Sequence, residues 1–121
     1  MHSIIAADYD GQGRLQFQNG DIYEGNFSKG KMDGDGVLRS LAGDIYTGKF
    51  KNGFKNGKGK IVYGNGSGWY SGNWSYNKME GEGVSVDGNG NRYEGTFRGN
   101  SRHGEGQCTY AADGSKYMGT W

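Results

Sequence analysis

Two side chains in this sequence could combine in covalent chemistry, Cys108 as a nucleophile and His103 as its base. A thiol becomes reactive when a neighbouring imidazole takes its proton. Cys108, however, recurs at an offset that Leu38 and Ile61 hold elsewhere in the chain, which is the signature of a small core residue. His103 falls in a segment with the composition of a hairpin loop and reads as a solvated turn residue. Two histidines and one cysteine fall short of a zinc ligand set. Gly11-Gln12-Gly13 and Gly34-Asp35-Gly36 have the glycine content of a phosphate-binding loop, but no helical pattern follows either of them. The helix dipole such loops rely on is therefore missing. The sequence points to no catalytic residue, no metal and no cofactor.

Two other groups carry non-covalent chemistry. The first is a row of rings: Tyr23, Phe27, Tyr46, Phe50, Tyr70, Trp74, Tyr93, Phe97, Tyr117 and Trp121. The second is a run of lysines. No acidic residue lies between Asp44 and Glu80, whereas Lys49, Lys51, Lys55, Lys58, Lys60 and Lys78 all do. The preceding stretch, residues 8–44, is acidic, with seven Asp/Glu against four Lys/Arg.

The elements that position these groups follow from an internal repeat. Tyr23-Glu24-Gly25-Asn26-Phe27 returns as Tyr46-Thr47-Gly48-Lys49-Phe50, Tyr70-Ser71-Gly72-Asn73-Trp74, Tyr93-Glu94-Gly95-Thr96-Phe97 and Tyr117-Met118-Gly119-Thr120-Trp121. The leading tyrosines are 23 or 24 residues apart. Each full unit continues with a Gly-x-Gly pair: Gly34/Gly36, Gly57/Gly59, Gly81/Gly83 and Gly104/Gly106. One domain results, with a degenerate unit 1–22, full units 23–45, 46–69, 70–92 and 93–116, and a partial unit 117–121. In the degenerate unit, Ile4 takes the place of the second aromatic.

Tyr-x-Gly-x-aromatic alternates with period two and so reads as a strand with one aromatic face. Gly59/Ile61/Tyr63 and its equivalents form the return strand, and about six intervening residues suggest a hairpin with a longish loop. Glycines interrupt every run, and no 3.6-residue periodicity supports a helix. If both apolar sets share one side, Gly25 faces Gly36 and Tyr23 faces Leu38, and paired glycines make a floor on which the rings can lie. The expected fold is all-β: an elongated single-layer antiparallel sheet of tandem hairpins, open at both ends like a solenoid. The same register puts Lys49, Lys51, Lys58 and Lys60 on the face opposite the rings. In the third unit Ser85 takes the apolar offset while Val84 and Val86 fall on the other parity, so a bulge or register slip is expected there.

These residues resemble the MORN repeat (membrane occupation and recognition nexus), whose pattern of Tyr-x-Gly-x-aromatic, Gly and Gly-x-Gly covers roughly residues 9–121. The resemblance implies a twisted hairpin array used as a scaffold or partner-binding module. It also implies links to cytoskeletal and ciliary assemblies, membrane junctions and phosphoinositide kinases. Asn77 and Asn100 depart from the pattern by replacing a turn glycine, a change that a left-handed turn position tolerates.

Composition agrees with a folded binding module. Glycine is abundant at 26 residues, proline is absent and mean hydropathy is -0.90, but 14% of the residues are aromatic, unlike a disordered chain. A net charge of +1 favours neither nucleic acid nor a membrane surface as a whole. A single cysteine suits a reducing compartment, and the run Ile4-Ile5-Ala6-Ala7 is too short for a signal core or membrane span. The leading expectation is a cytoplasmic scaffold that holds a protein segment, such as a helix, in a groove lined by the ten rings, with some ring surface uncovered. The alternatives are a peripheral membrane module using Lys49, Lys51, Lys58 and Lys60 on anionic lipid or an acidic partner, and a targeting array of a larger enzyme such as a lipid kinase. Because both sheet ends are open, end-to-end pairing of two copies is also expected.

Overall fold

A computed structural model describes residues 9–121, and Ile4 lies outside them. Ten strands run in chain order through one antiparallel sheet: β1 (Gly11–Gln16), β2 (Ile22–Ser28), β3 (Lys31–Arg39), β4 (Ile45–Lys51), β5 (Phe54–Val62), β6 (Gly68–Ser75), β7 (Lys78–Asp87), β8 (Arg92–Arg98), β9 (Ser101–Thr109) and β10 (Lys116–Thr120). The described residues contain no helix. Each strand pairs only with its neighbours in sequence, so this is the tandem-hairpin sheet the repeat implied.

The register is the expected one. Gly25 faces Gly36, and Tyr23 faces Leu38. Further pairings extend the glycine row across the whole sheet, from Gly13 through Gly48, Gly59, Gly72, Gly83 and Gly95 to Gly106 and Gly119. Its purpose is steric. The ring of Tyr23 lies on Gly36, where an added methyl group would overlap the ring, and Tyr46 lies on Gly59 in the same way. The phenol then reaches over the glycine to donate to a main-chain carbonyl: Tyr23 to Asn26 at 2.7 Å, Tyr46 to Lys49 at 2.8 Å, Tyr70 to Asn73 at 2.8 Å and Tyr93 to Thr96 at 2.9 Å. Each buried hydroxyl is thereby satisfied, which such a group requires.

The hairpin loops are shorter than expected. In place of a six-residue loop, two-residue turns join β2 to β3, β4 to β5, β6 to β7 and β8 to β9. Both central residues have positive φ, as at Asn52 (50°) and Gly53 (87°), the type I′ geometry that matches strand twist. Asn77 (68°) and Asn100 (74°) hold the left-handed position as their residue type allows. The residues taken for loop belong to the strand, and a bulge absorbs them: β2 advances from Gly25 to Phe27 while β3 goes from Gly36 back to Met32. Gly34, at φ 88°, lies within this bulge. The same shift recurs in the other three hairpins.

The third unit does not slip. Tyr70 faces Ser85 and Trp69 faces Val86 in unbroken register, so Val84 and Val86 simply point to the face opposite the rings. Side chains tie successive hairpins together along both turn edges. Asn77 Oδ1 accepts from the Lys55 amide at 2.8 Å, and Asn100 Oδ1 from the Met79 amide at 2.9 Å. At the other edge Asp44 Oδ1 accepts from the Gly64 amide at 2.8 Å.

Candidate functional site

Among the described residues no second layer covers the sheet, which offers two large faces, and the predicted site residues divide between them. On the first face, Tyr23, Phe27, Tyr46, Phe50, Tyr70, Trp74, Tyr93 and Phe97 are the core, none more than 5% exposed. Here the structure corrects the expectation of uncovered ring surface. Each buried leading tyrosine packs edge-on against the second aromatic of its own unit and that of the next: Tyr23 on Phe27 (5.1 Å) and Phe50 (5.0 Å), Tyr46 on Phe50 (5.0 Å) and Trp74 (5.2 Å). The relay continues through Tyr70, Phe97 and Tyr93 to Trp121 and Tyr117. Edge-to-face geometry is the favourable one for aromatic pairs. A single sheet can thus close its own core, because each unit's ring covers its neighbour's. Only Tyr117 (46%) and Trp121 (37%) keep substantial exposure.

Long flexible side chains complete the cover. Met32 faces Phe27, Lys55 faces Phe50, Met79 faces Trp74 and Arg102 faces Phe97. The Lys55 ammonium lies 5.4 Å from the centre of Tyr46 and 5.3 Å from that of Trp74, and the Arg102 guanidinium 4.9 Å from that of Tyr93. Such contacts are attractive because the ring face is electron-rich. Burial lowers the Lys55 pKa, against the raising influence of Asp44 and Asp21. Burial likewise pushes Tyr23 and Tyr70 up to about 12 and raises Tyr46 further.

Among the clefts on this face, two match one another. One, of about 340 Å³, is lined by Phe17, Met32, Leu38, Phe50, Gly53 and Lys55 among others. The second, of about 220 Å³, includes Tyr63, Met79, Ser85, Phe97, Asn100 and Arg102. The second set is the first displaced by two repeats. Methionine, phenylalanine and a cation recur in both, with Phe17 becoming Tyr63 and Lys55 becoming Arg102. The alternation of methionine and cation along the face was written in the sequence, at the second residue after each tight turn, but it became legible only once the bulge had fixed which face that position takes.

The second face carries the predicted lysines. Alternation from Tyr46 and Phe50 puts Lys49 and Lys51 there, and the pairing of Thr47 with Lys60 adds β5. Lys49 is bound to Asp35 at 2.8 Å, and both are exposed. Lys58 and Lys60 are exposed too, with the Lys60 ammonium 4.5 Å from the centre of the Trp69 ring. An apolar row also runs here, made of Ile22, Ile45 and Trp69, each directly before a leading tyrosine, together with Val62 and Val86, and of these the sequence alternation placed only Val86 on this face. Their position before the tyrosine was the available signal.

Cys108 is buried beside Tyr93 and Tyr117, and His103 is exposed. No group of three or more metal-ligating side chains occurs among the described residues. Comparison with known families gives a MORN repeat match over residues 9–22, 23–44, 46–68, 70–92 and 93–115. No curated protein matches the chain.

Proposed function

The chain belongs to the MORN repeat family, and from that premise we propose that it is a non-catalytic scaffold whose ring-bearing face takes a segment of a partner protein. Repeats of this family generally mediate protein or membrane interaction and are generally non-catalytic. The observation that carries the reading is the recurrence of one cleft two repeats apart, with a methionine and a cation at the same offsets. Contact falls on the covering side chains Met32, Lys55, Met79 and Arg102, with Tyr23, Phe27, Tyr46, Phe50, Tyr70, Trp74, Tyr93 and Phe97 as the floor. Methionine adapts to varied apolar partners, and a cation above a ring can turn to a carboxylate or carbonyl. A cytoplasmic setting on a cytoskeletal or ciliary assembly belongs to the same reading and rests on family analogy.

Peptides selected from a displayed library against the protein, mapped by amide chemical-shift perturbation, test this. Perturbation at Met32, Lys55, Met79 and Arg102, and loss of binding in Met32→Ala/Met79→Ala, is the expected result. Perturbation confined to the lysine face contradicts it.

A second reading is favoured by one observation, the exposed Lys58 and Lys60 on the strand of exposed Val62, with exposed Lys51 paired to exposed Phe54. Lysines next to apolar surface suit an anionic lipid headgroup layer. Flotation with phosphatidylserine vesicles, abolished by salt and by Lys51→Glu/Lys58→Glu/Lys60→Glu, is its signature.

A further inference from the structure

The face opposite the rings is organised in a way the repeat does not demand. Its register aligns Ile45, Val62, Trp69 and Val86 side by side across β4, β5, β6 and β7, and Val84 adds a second apolar side chain in β7. Val62 is 45% exposed and the other four are partly exposed. In β7 Ser85 holds the ring-side position that Leu38 and Ile61 hold in β3 and β5, and Val84 and Val86 stand outward on either side of it. Charge also divides at β6. Lys58 and Lys60 stand on β5, and Glu82 and Glu94 on β7 and β8. Among the described residues Lys58, Lys60 and Glu82 have no ion-pair partner, and Glu94 has only a loose 3.7 Å contact with Arg92. Between the two signs lies a trough of about 310 Å³ over Gly59, Gly72 and Gly83.

We infer that this face binds the same face of a second copy of the chain. A two-fold axis lying along β6, in the plane between two facing sheets, exchanges β5 with β7 and keeps each residue's height along the strand. It sets Lys58 against the other copy's Glu82, Lys60 beside its Glu94, Val62 against its Val86, and Trp69 against its Trp69. An isologous interface needs a self-complementary patch, and a lysine half and a glutamate half on either side of an apolar centre meet that need. Facing sheets pack about 10 Å apart, room for these side chains to interdigitate. The patch spans five strands at about 4.8 Å and five residues at about 3.3 Å, or roughly 400 Å² per copy. That is about half the usual ~800 Å² per partner, so the dimer is weak and forms at high protein concentration.

Sedimentation velocity over a concentration series into the high micromolar range tests the inference. Wild type shows a monomer–dimer equilibrium that added salt weakens. Lys58→Glu/Lys60→Glu makes both halves acidic and weakens the dimer about tenfold or more, because several rim charge pairs become repulsive. Adding Glu82→Lys/Glu94→Lys to that variant reverses both signs and restores the dimer. Trp69→Asp abolishes it without altering the circular-dichroism spectrum. A wild type that stays monomeric overturns the inference. So does a folded charge-swapped variant that does not recover, or a dimer indifferent to all of these changes and hence joined elsewhere, as by the sheet ends.

Discussion

The same ten strands present two faces with opposite histories of burial. On one face Tyr23, Tyr46, Tyr70 and Tyr93 are at most 1% exposed although no second layer among the described residues covers them. On the other, Val62 is 45% exposed, and Ile45, Trp69, Val84 and Val86 are only partly covered. The difference is one of reach. Rings on the first face lie down over a glycine row and touch the next unit's ring, whereas valines and isoleucines on the second are too short to bridge strands from one hairpin to the next. Closing a sheet face without a partner takes long planar side chains and a floor free of Cβ atoms. A face lacking those is left for something else to cover.

The largest effects separate the two faces by stability. Tyr46→Ala removes a buried ring that holds both Phe50 and Trp74, and chemical denaturation is expected to show a loss of about 3–5 kcal/mol. Trp69→Ala, on the other face, loses only cross-strand contact and is expected to cost about 1 kcal/mol or less. Similar losses for the two would erase the distinction.

The glycines sharpen it. At Gly59 a methyl group overlaps the Tyr46 ring, so Gly59→Ala is expected to cost about 3 kcal/mol through overpacking. Gly66 has a φ of 79° but nothing within 4 Å of an added Cβ. Its alanine variant bears backbone strain alone, about 1–2 kcal/mol. A melting series on the two variants gives the order directly.

A smaller effect concerns alkali. Burial raises the Tyr23 and Tyr70 pKa from 10.0 to about 12. A folded-state pKa above the unfolded value means full stabilisation below pH 10, lost progressively as pH climbs from 10 toward 12. Stability measured against pH is therefore expected to be flat through neutrality and to fall from about pH 10 upward. In Tyr23→Phe/Tyr70→Phe the fall is expected to be shallower.

Much of this was readable from the sequence. Period-two alternation inside a 23-residue period implies the pairing of Tyr23 with Leu38 and of Gly25 with Gly36 that the sheet adopts. The turn length was misjudged because a bulge at Gly34 lets the return strand begin only three residues earlier, at Lys31, within residues that otherwise look like loop. Ring exposure was misjudged because coverage of Tyr46 comes from Trp74, 28 residues on, a relation that no single hairpin displays. Most of the outer apolar row escaped notice because Ile45 and Trp69 sit beside a much stronger signal, the leading tyrosine.

One face is closed by its own rings, and the other stays open until a second copy covers it. Paramagnetic relaxation by a soluble gadolinium probe, read on side-chain protons at low and high protein concentration, measures both at once. The ring protons of Tyr23, Tyr46, Tyr70 and Tyr93 should be protected at every concentration, while Val62, Trp69, Val84 and Val86 should relax strongly when dilute and become protected when concentrated. Strong relaxation of the four tyrosines, or valine and tryptophan signals unchanged by concentration, would contradict it.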